Sequence, residues 1–208
     1  MKKALLMAAL AAAVVGGALG CGGGKSAPPS IGTFTDNRDG KVYKIVKIGR
    51  QVWFAENLNY EAEGSKCYGD DAGNCEKYGR LYNWATALKA CPAGFHLPSD
   101  DEWTALTDAV GGKYIVGARL KSTEGWNNNG NGTDDYGWSA LPGGGNSDGN
   151  FLSAGYSGYW WSATEYYATS AWRRSMGYDY EIVGRRNYVK SLLFSVRCVA
   201  DNRKEAQK

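Results

Sequence analysis

The sequence predicts an α+β domain closed by disulfides, and three observations point to it. Short runs of β-branched and aromatic residues, bounded by turn signals, lie toward both ends of the chain. Two stretches of helical periodicity lie between them. Of five cysteines, one ends an export signal and four remain to pair with one another. The order strands, helices, long loop, strands is that of an α+β domain.

The export signal comes first. Lys2 and Lys3 precede an uncharged apolar stretch over residues 4–15, and small residues follow at Gly16, Gly17, Ala18 and Gly20. Residues 1–20 therefore read as a secretory signal, too short and wrongly flanked for a transmembrane helix. Ala18-Leu19-Gly20-Cys21 resembles a lipobox with its aliphatic residue one place late, so Cys21 is expected to carry lipid and tie the protein to a membrane. Residues 21–33, with Gly22-Gly23-Gly24 and Pro28-Pro29, read as a flexible tether. No Asp follows Cys21, which makes the outer membrane or cell surface the expected destination. Removing residues 1–20 takes two of the 24 basic residues and leaves 22 against 21 acidic ones, a balance that argues against a nucleic-acid partner. The folded domain is placed at residues 34–201, with a polar tail at 202–208.

Phe34-Thr35 and the run Val42–Ile48 flank the turn signal Asp39-Gly40 and read as a hairpin. Gly49-Arg50 turns the chain into a third strand over residues 51–55. Residues 78–90 read as a helix, because Leu81, Trp84, Ala85 and Leu88 recur at helical spacing, and Pro92 stops it. Ser99 and Glu102 form a capping-box signature for a second helix with apolar face Trp103, Leu106 and Val110. Residues 125–150 are dense in Asn, Asp and Gly; so long a loop in a compact domain is expected to be functional or poorly ordered. Strand signals return at residues 159–164, 171–178 and 191–199. In the last run Leu192, Phe194, Val196 and Cys198 form the expected core face. Neighbouring Trp160 and Trp161 are not expected both to point inward, and Arg173 and Arg174 read as a solvated edge.

With Cys21 assigned to lipid, Cys67, Cys75, Cys91 and Cys198 make two disulfides in an oxidising compartment, with three possible connectivities. Cys67 and Cys75 flank a turn-rich segment, Tyr68-Gly69-Asp70-Asp71-Ala72-Gly73-Asn74, that can close on itself. Pairing them leaves Cys91 with Cys198, joining a helix end to the last strand. Zinc is the competing use of these thiols, but no Cys-x-x-Cys spacing exists and His96 is the lone histidine.

Several motifs together resemble the Fibrobacter major paralogous domain (FISUMP). They are residues 51–60, Gly79-Arg80-Leu81-Tyr82-Asn83-Trp84, residues 91–99, Glu102-Trp103, residues 125–137, Trp160-Trp161-Ser162-Ala163-Thr164-Glu165 and Phe194-Ser195-Val196-Arg197-Cys198-Val199. The resemblance spans about residues 34–201. It implies a fold similar to C-type lectin-like domains and formylglycine-generating enzymes, with two helices, a mixed sheet and a long loop region. A first-helix cysteine bonded to a last-strand cysteine is also a lectin-like feature, in agreement with the pairing reached from spacing. The resemblance implies fold and location, and no particular activity.

The residues argue against catalysis. One histidine between apolar neighbours builds no Ser/His/Asp or Cys/His constellation. Formylglycine-generating chemistry needs free cysteines close together, and here the only late cysteine is expected in a disulfide. Carboxylate-only glycoside hydrolysis has Asp134, Asp135 and Glu165 to draw on, with nothing to fix two of them at a working separation. No cofactor is expected. Calcium is the one metal weighed: Asn127, Asn129, Asn131 and Gly132 have the opening spacing of an EF-hand loop, with Asp134 and Asp135 nearby. Trp138 stands where the bidentate Glu is required, and a hydrogen-bonded turn built from Asn and Gly is the competing reading. The sugar-coordinating triplets of lectin-like domains are absent. What remains is aromatic: Trp126, Tyr136, Trp138, Trp160, Trp161, Tyr166, Tyr167 and Trp172, mostly core, with two or three expected at a surface patch. The leading expectation is a surface-displayed recognition module for an extracellular glycan or protein. Its ligand surface would combine Trp126, Asn127, Asn129, Asn131, Asp134, Asp135, Tyr136 and Trp138 with Trp161, Glu165 and Trp172. The alternatives are a structural envelope protein and a divergent enzyme.

Overall fold

A computed structural model describes residues 30–112 and 114–201. The export signal, the Cys21 anchor, the tether up to residue 29 and the tail at 202–208 lie outside the described residues. The chain runs through β1 (Ser30–Thr35), β2 (Val42–Ile48), β3 (Gln51–Phe54), α1 (Ala72–Tyr78), β4 (Leu81–Tyr82), α2 (Trp84–Ala90), β5 (Phe95–His96), α3 (Asp100–Ala109) and α4 (Val116–Leu120). It continues as β6 (Gly143–Ser147), β7 (Asn150–Ala154), β8 (Ser157–Tyr167), β9 (Ser170–Gly177), β10 (Gly184–Val189), β11 (Phe194–Ser195) and β12 (Val199–Ala200). The α+β class holds. β1 begins at Ser30, inside the stretch read as tether. No helix among the described residues is long and apolar enough to cross a membrane.

Two sheets share the last segment of the chain. The first has the order β1-β2-β3-β12-β5 and is antiparallel throughout. The second has the order β10-β9-β8-β11-β4, with β6 and β7 attached, and is mixed because β8 pairs parallel with both β11 and β6. The run expected as one final strand is thus two short ones, one per sheet, separated by Val196, Arg197 and Cys198. Both disulfides are present, Cys67–Cys75 and Cys91–Cys198, the second closing a separation of 107 residues.

Local physics explains where the elements depart from expectation. The helix expected over residues 78–90 is broken at Gly79, whose φ of +74° is left-handed and where a Cβ would lie 2.8 Å from the Asn57 Cβ. Leu81 and Tyr82 then pair with Ser195 and Phe194 as a strand, and α2 starts only after Asn83, whose side chain accepts from the Thr86 N–H. The apolar period therefore mixed a strand with a helix, and Leu88 lies exposed. Helices α1 and α4 add to the two expected; α1 starts within the Cys67–Cys75 loop, capped by Asp71, and runs past Cys75 to Tyr78. Helix α3 carries the expected capping box: Ser99 and Glu102 bond reciprocally.

Both tryptophans of the Trp160-Trp161 pair are fully buried, contrary to the expectation from strand alternation. Strand β8 has a core on each face. Trp160 packs with Trp53, Trp103 and Trp138, whose ring centroids stand 5.2 Å (Trp53–Trp103), 5.7 Å (Trp103–Trp138) and 5.6 Å (Trp138–Trp160) apart. Trp161 packs with Phe54, Tyr82, Phe194 and Val196. Arg173 and Arg174 are likewise buried instead of forming a solvated edge. Arg174 is held by α3: its Nη2 donates to Asp100 Oδ1 at 2.6 Å, to the Asp100 carbonyl and to Thr104 Oγ1. On the last segment Phe194, Val196 and Cys198 are core as expected, but Leu192 is only half-buried and Leu193 is buried in its place; Ser195, Arg197 and Val199 are equally inaccessible, since each sheet covers one side.

Candidate functional site

The residues that the motifs single out converge on one buried cation. Arg197 is fully buried, and its guanidinium lies 3.9 Å from the Trp138 ring. Its Nη2 and Nε donate to Asn57 Oδ1 at 2.9 and 3.2 Å, and Nη1 donates to the carbonyls of Phe54 and Trp138. The same Asn57 Oδ1 accepts from Trp160 Nε1 at 2.8 Å, while Asn57 Nδ2 donates to the Tyr78 carbonyl. Burial, only partly offset by the charges of Glu56 and Asp134, pushes the Arg197 guanidinium down to about 9. The cation stays charged at neutral pH and fixes the joint between the sheets; this is a structural centre, closed to ligand.

Three of the residues expected to bind a ligand are buried, and several of the others are engaged in hydrogen bonds or ion pairs within the fold. Trp126, Trp138 and Trp161 are core residues, which removes them from any exposed surface. Trp126 Nε1 donates to the Ala140 carbonyl and to Ser122 Oγ, and its backbone N–H is capped by Asn131 Oδ1. Asp134 accepts from the Ser139 N–H at 2.8 Å and from Ser139 Oγ at 2.6 Å. Asp135 pairs with Arg119, which lies over Tyr136. Asn127 and Asn129 are exposed. Asn128, Asn129, Asp134 and Ser139 have left-handed φ, the backbone work that Asn, Asp and Gly do in turns. Gly132 packs so closely that a Cβ would lie 2.3 Å from the Ala118 carbonyl oxygen. Among the described residues no three His, Cys, Asp or Glu side chains converge as a metal site.

Apart from the exposed Asn127, Asn129, Asn131 and Asp135 of the loop, what the expected residues leave on the surface is the aromatic free end of the β8–β9 hairpin. Tyr166 and Tyr167 are 39% and 65% exposed, with ring centroids 4.2 Å apart, and Tyr166 meets half-buried Trp172 edge-on at 4.6 Å. The Arg185 guanidinium stands 3.4 Å from the Trp172 ring while its Nε donates to Asp100 Oδ2 at 2.7 Å. Beside it Glu165 pairs with Lys190, which lies over Trp84. The structure thus brings Glu165 and Trp172 together and separates them from the residues of the 125–138 loop.

His96 is a clamp. Its Nδ1 faces Asp201 Oδ1 at 2.7 Å and its Nε2 faces Glu102 Oε1 at 2.9 Å, tying the end of β12 to the start of α3. The hydrogen bond to Glu102, aided by Asp201 and opposed by burial, raises its pKa above the usual 6.5. For Glu102 burial pushes upward, but His96 and the Ser99 N–H and hydroxyl outweigh it and hold the carboxyl low. Protonation of His96 is favoured in the fold, so its contribution is complete below about pH 6.5 and is lost as pH rises through the raised folded value. The Glu102 contribution is lost at the acid end, as pH falls through its lowered value. Between about pH 6 and pH 8.5 the wild type should therefore lose stability that His96→Gln does not, by no more than about 1 kcal/mol for so exposed a pair. Denaturant midpoints at the two pH values check this, and equal slopes would refute it.

Fold and site together define a disulfide-bonded α+β domain: two sheets closed on a tryptophan core, with a buried arginine at the joint and an aromatic hairpin end at the surface. The chain belongs to the Fibrobacter succinogenes major domain family, whose model it matches over residues 46–200. No curated protein and no solved structure gives a significant match.

Proposed function

We propose that this protein is exported, anchored to the cell envelope through lipid on Cys21, and that its domain recognises an extracellular glycan without catalysis. The observation that carries the reading is the β8–β9 hairpin end, where Tyr166 touches both Tyr167 and Trp172 and all three stay partly in water. Contacting aromatic rings at a surface offer apolar faces for stacking against sugar rings and polar edges for hydroxyls. Three carboxylates on this side of the domain are each held by a cation, which suits binding more than acid–base work: Asp100 by Arg174 and Arg185, Glu102 by His96, Glu165 by Lys190. The family resemblance to lectin-like folds points the same way. Calcium has no part in the reading, because Asp134 already serves Ser139.

The test is a panel of neutral and charged cell-wall polysaccharides offered to the full chain with and without EDTA. Binding is expected in both conditions, and Tyr167→Ala or Trp172→Ala should weaken it about tenfold, or ~1.4 kcal/mol. Failure to bind any glycan would sink the reading, and EDTA-sensitive binding would sink its metal-free form. Palmitate labelling that Cys21→Ala abolishes is expected for the anchor; equal labelling overturns it. A scaffold role is the second reading, favoured by the burial of Trp126, Trp138, Trp160 and Trp161. It predicts a blank panel.

A further inference from the structure

On the opposite face of the β8–β10 region from Trp172 lies a cleft of about 210 Å³ lined by Asn146, Ser147, Leu152, Tyr159, Arg173, Tyr188, Leu192 and Phe194. Two of its walls are polar side chains more than nine-tenths buried, Arg173 and Asn146. The Arg173 guanidinium stands 4.4 Å from the ring centroids of both Tyr159 and Tyr188 and 5.5 Å from that of Phe194. Its Nε and Nη1 have no hydrogen-bond partner, and neither has Asn146 Nδ2. Asn146 is held in place by its other atoms: its backbone N–H and carbonyl pair with Leu193, and its Oδ1 accepts from the Gly149 N–H at 3.2 Å.

Every unpaired buried atom in this cleft is an N–H donor, so the group that completes it is an acceptor. The charge has one sign as well. Arg186 stands directly opposite Arg173 in the β9–β10 ladder, a like-charge pair that is unfavourable unless an anion lies between or near them. Among the described residues no carboxylate forms an ion pair with either. The aromatic rings cover the guanidinium by cation–π contact and leave its Nε and Nη1 N–H groups unpaired, charged donors of the kind that a carboxylate oxygen accepts from. Tyr159, Tyr188, Leu152 and Leu192 supply the apolar walls that the face of a sugar ring requires.

We propose that this cleft is a subsite for a carboxylate-bearing sugar, a hexuronate residue, whose carboxylate meets Arg173 and Asn146 while its ring packs on the tyrosines. The assignment rests on the reading of the domain as a glycan-recognition module and names one sugar class that it takes.

Calorimetric titration of the full chain with galacturonate, glucuronate, galactose and acetate tests it. The uronates should bind at least about tenfold tighter than galactose, which lacks the charge, and than acetate, which lacks the ring. Asn146→Asp brings a fixed carboxylate into the same cleft and should weaken uronate binding at least about tenfold with an unchanged far-ultraviolet circular dichroism spectrum. Arg173→Lys keeps the charge but not the planar fork and should fall between the two. Uronates that bind no tighter than galactose or acetate, or equally well to Asn146→Asp, would overturn the subsite. The polysaccharide panel separates this failure from that of the broader reading. Neutral-glycan binding lost with Tyr167→Ala, alongside absent uronate binding, removes the cleft alone; a blank panel removes both.

Discussion

Asn57→Leu is expected to cost about 3–5 kcal/mol, enough to leave the domain marginal, because it strands a buried charge. One carbonyl oxygen on Asn57 serves three donors, two from Arg197 and one from Trp160. Leu is close to Asn in volume and fills the space, so the loss is one of polar pairing and not of packing. Arg197 keeps the Phe54, Trp138 and Ser139 carbonyls, but the side chain is fully buried and, among the described residues, no carboxylate forms an ion pair with it. Water cannot replace the missing acceptor without opening the joint between the sheets. A buried donor left unpaired costs about 1–3 kcal/mol, more when it is charged. The control removes the charge as well: Asn57→Leu with Arg197→Met should be less destabilised than the sum of the single variants, since the stranded cation is gone. Urea unfolding measures all three. A loss below about 1 kcal/mol for Asn57→Leu would mean that Arg197 finds other acceptors, and the joint would not depend on this side chain.

The expected result also marks what the sequence conceals. Asn57, Trp160 and Arg197 lie more than a hundred residues apart at the extremes, and no local pattern announces that they meet. Signals that act within a few residues were readable: the Asp39-Gly40 hairpin, the Ser99–Glu102 capping box, and the Cys67–Cys75 loop with the second pairing it left over. Signals that depend on what covers a strand were not. Alternation assumes a sheet with one wet face; β8 has none over Trp160-Trp161, and both rings are core. Arg173 and Arg174 carry charge, which reads as surface, until Asp100 and the Tyr159–Tyr188 pair enclose them. The 125–138 loop shows the converse error. Its Asn, Asp and Gly suggested ligand contacts, yet that composition serves left-handed turns and close packing against α4, and the exposed aromatic end lies on the β8–β9 hairpin. Tyr166, Tyr167 and Trp172 were visible in the sequence as aromatics. Their exposure was not, because it follows from the hairpin running past the edge of the core.

The second large effect separates the two disulfides. Replacing Cys91 and Cys198 together by Ala should cost about 4–5 kcal/mol, against about 2–3 kcal/mol for Cys67 and Cys75, because the loop entropy released in the unfolded chain grows with the logarithm of loop size. The separations are 107 and 8 residues. The longer bridge also has the more exacting position. It fixes the residue after α2 to fully buried Cys198, one residue beyond Arg197 and between the strands that enter the two sheets. Its loss frees the segment that closes the core, whereas loss of the Cys67–Cys75 bridge frees a surface turn and α1. Denaturant midpoints of the two double variants give the order. Equal losses would show that unfolded-chain entropy is not the governing quantity, and a larger loss at Cys67–Cys75 would place the weak point of the fold at α1. If the order holds, the domain owes a large fraction of its net stability to one bond that forms only under oxidising conditions. A chain held in a reducing compartment should then fail at its C-terminal end first, where protection of the Val196 to Val199 amides from hydrogen exchange would report it.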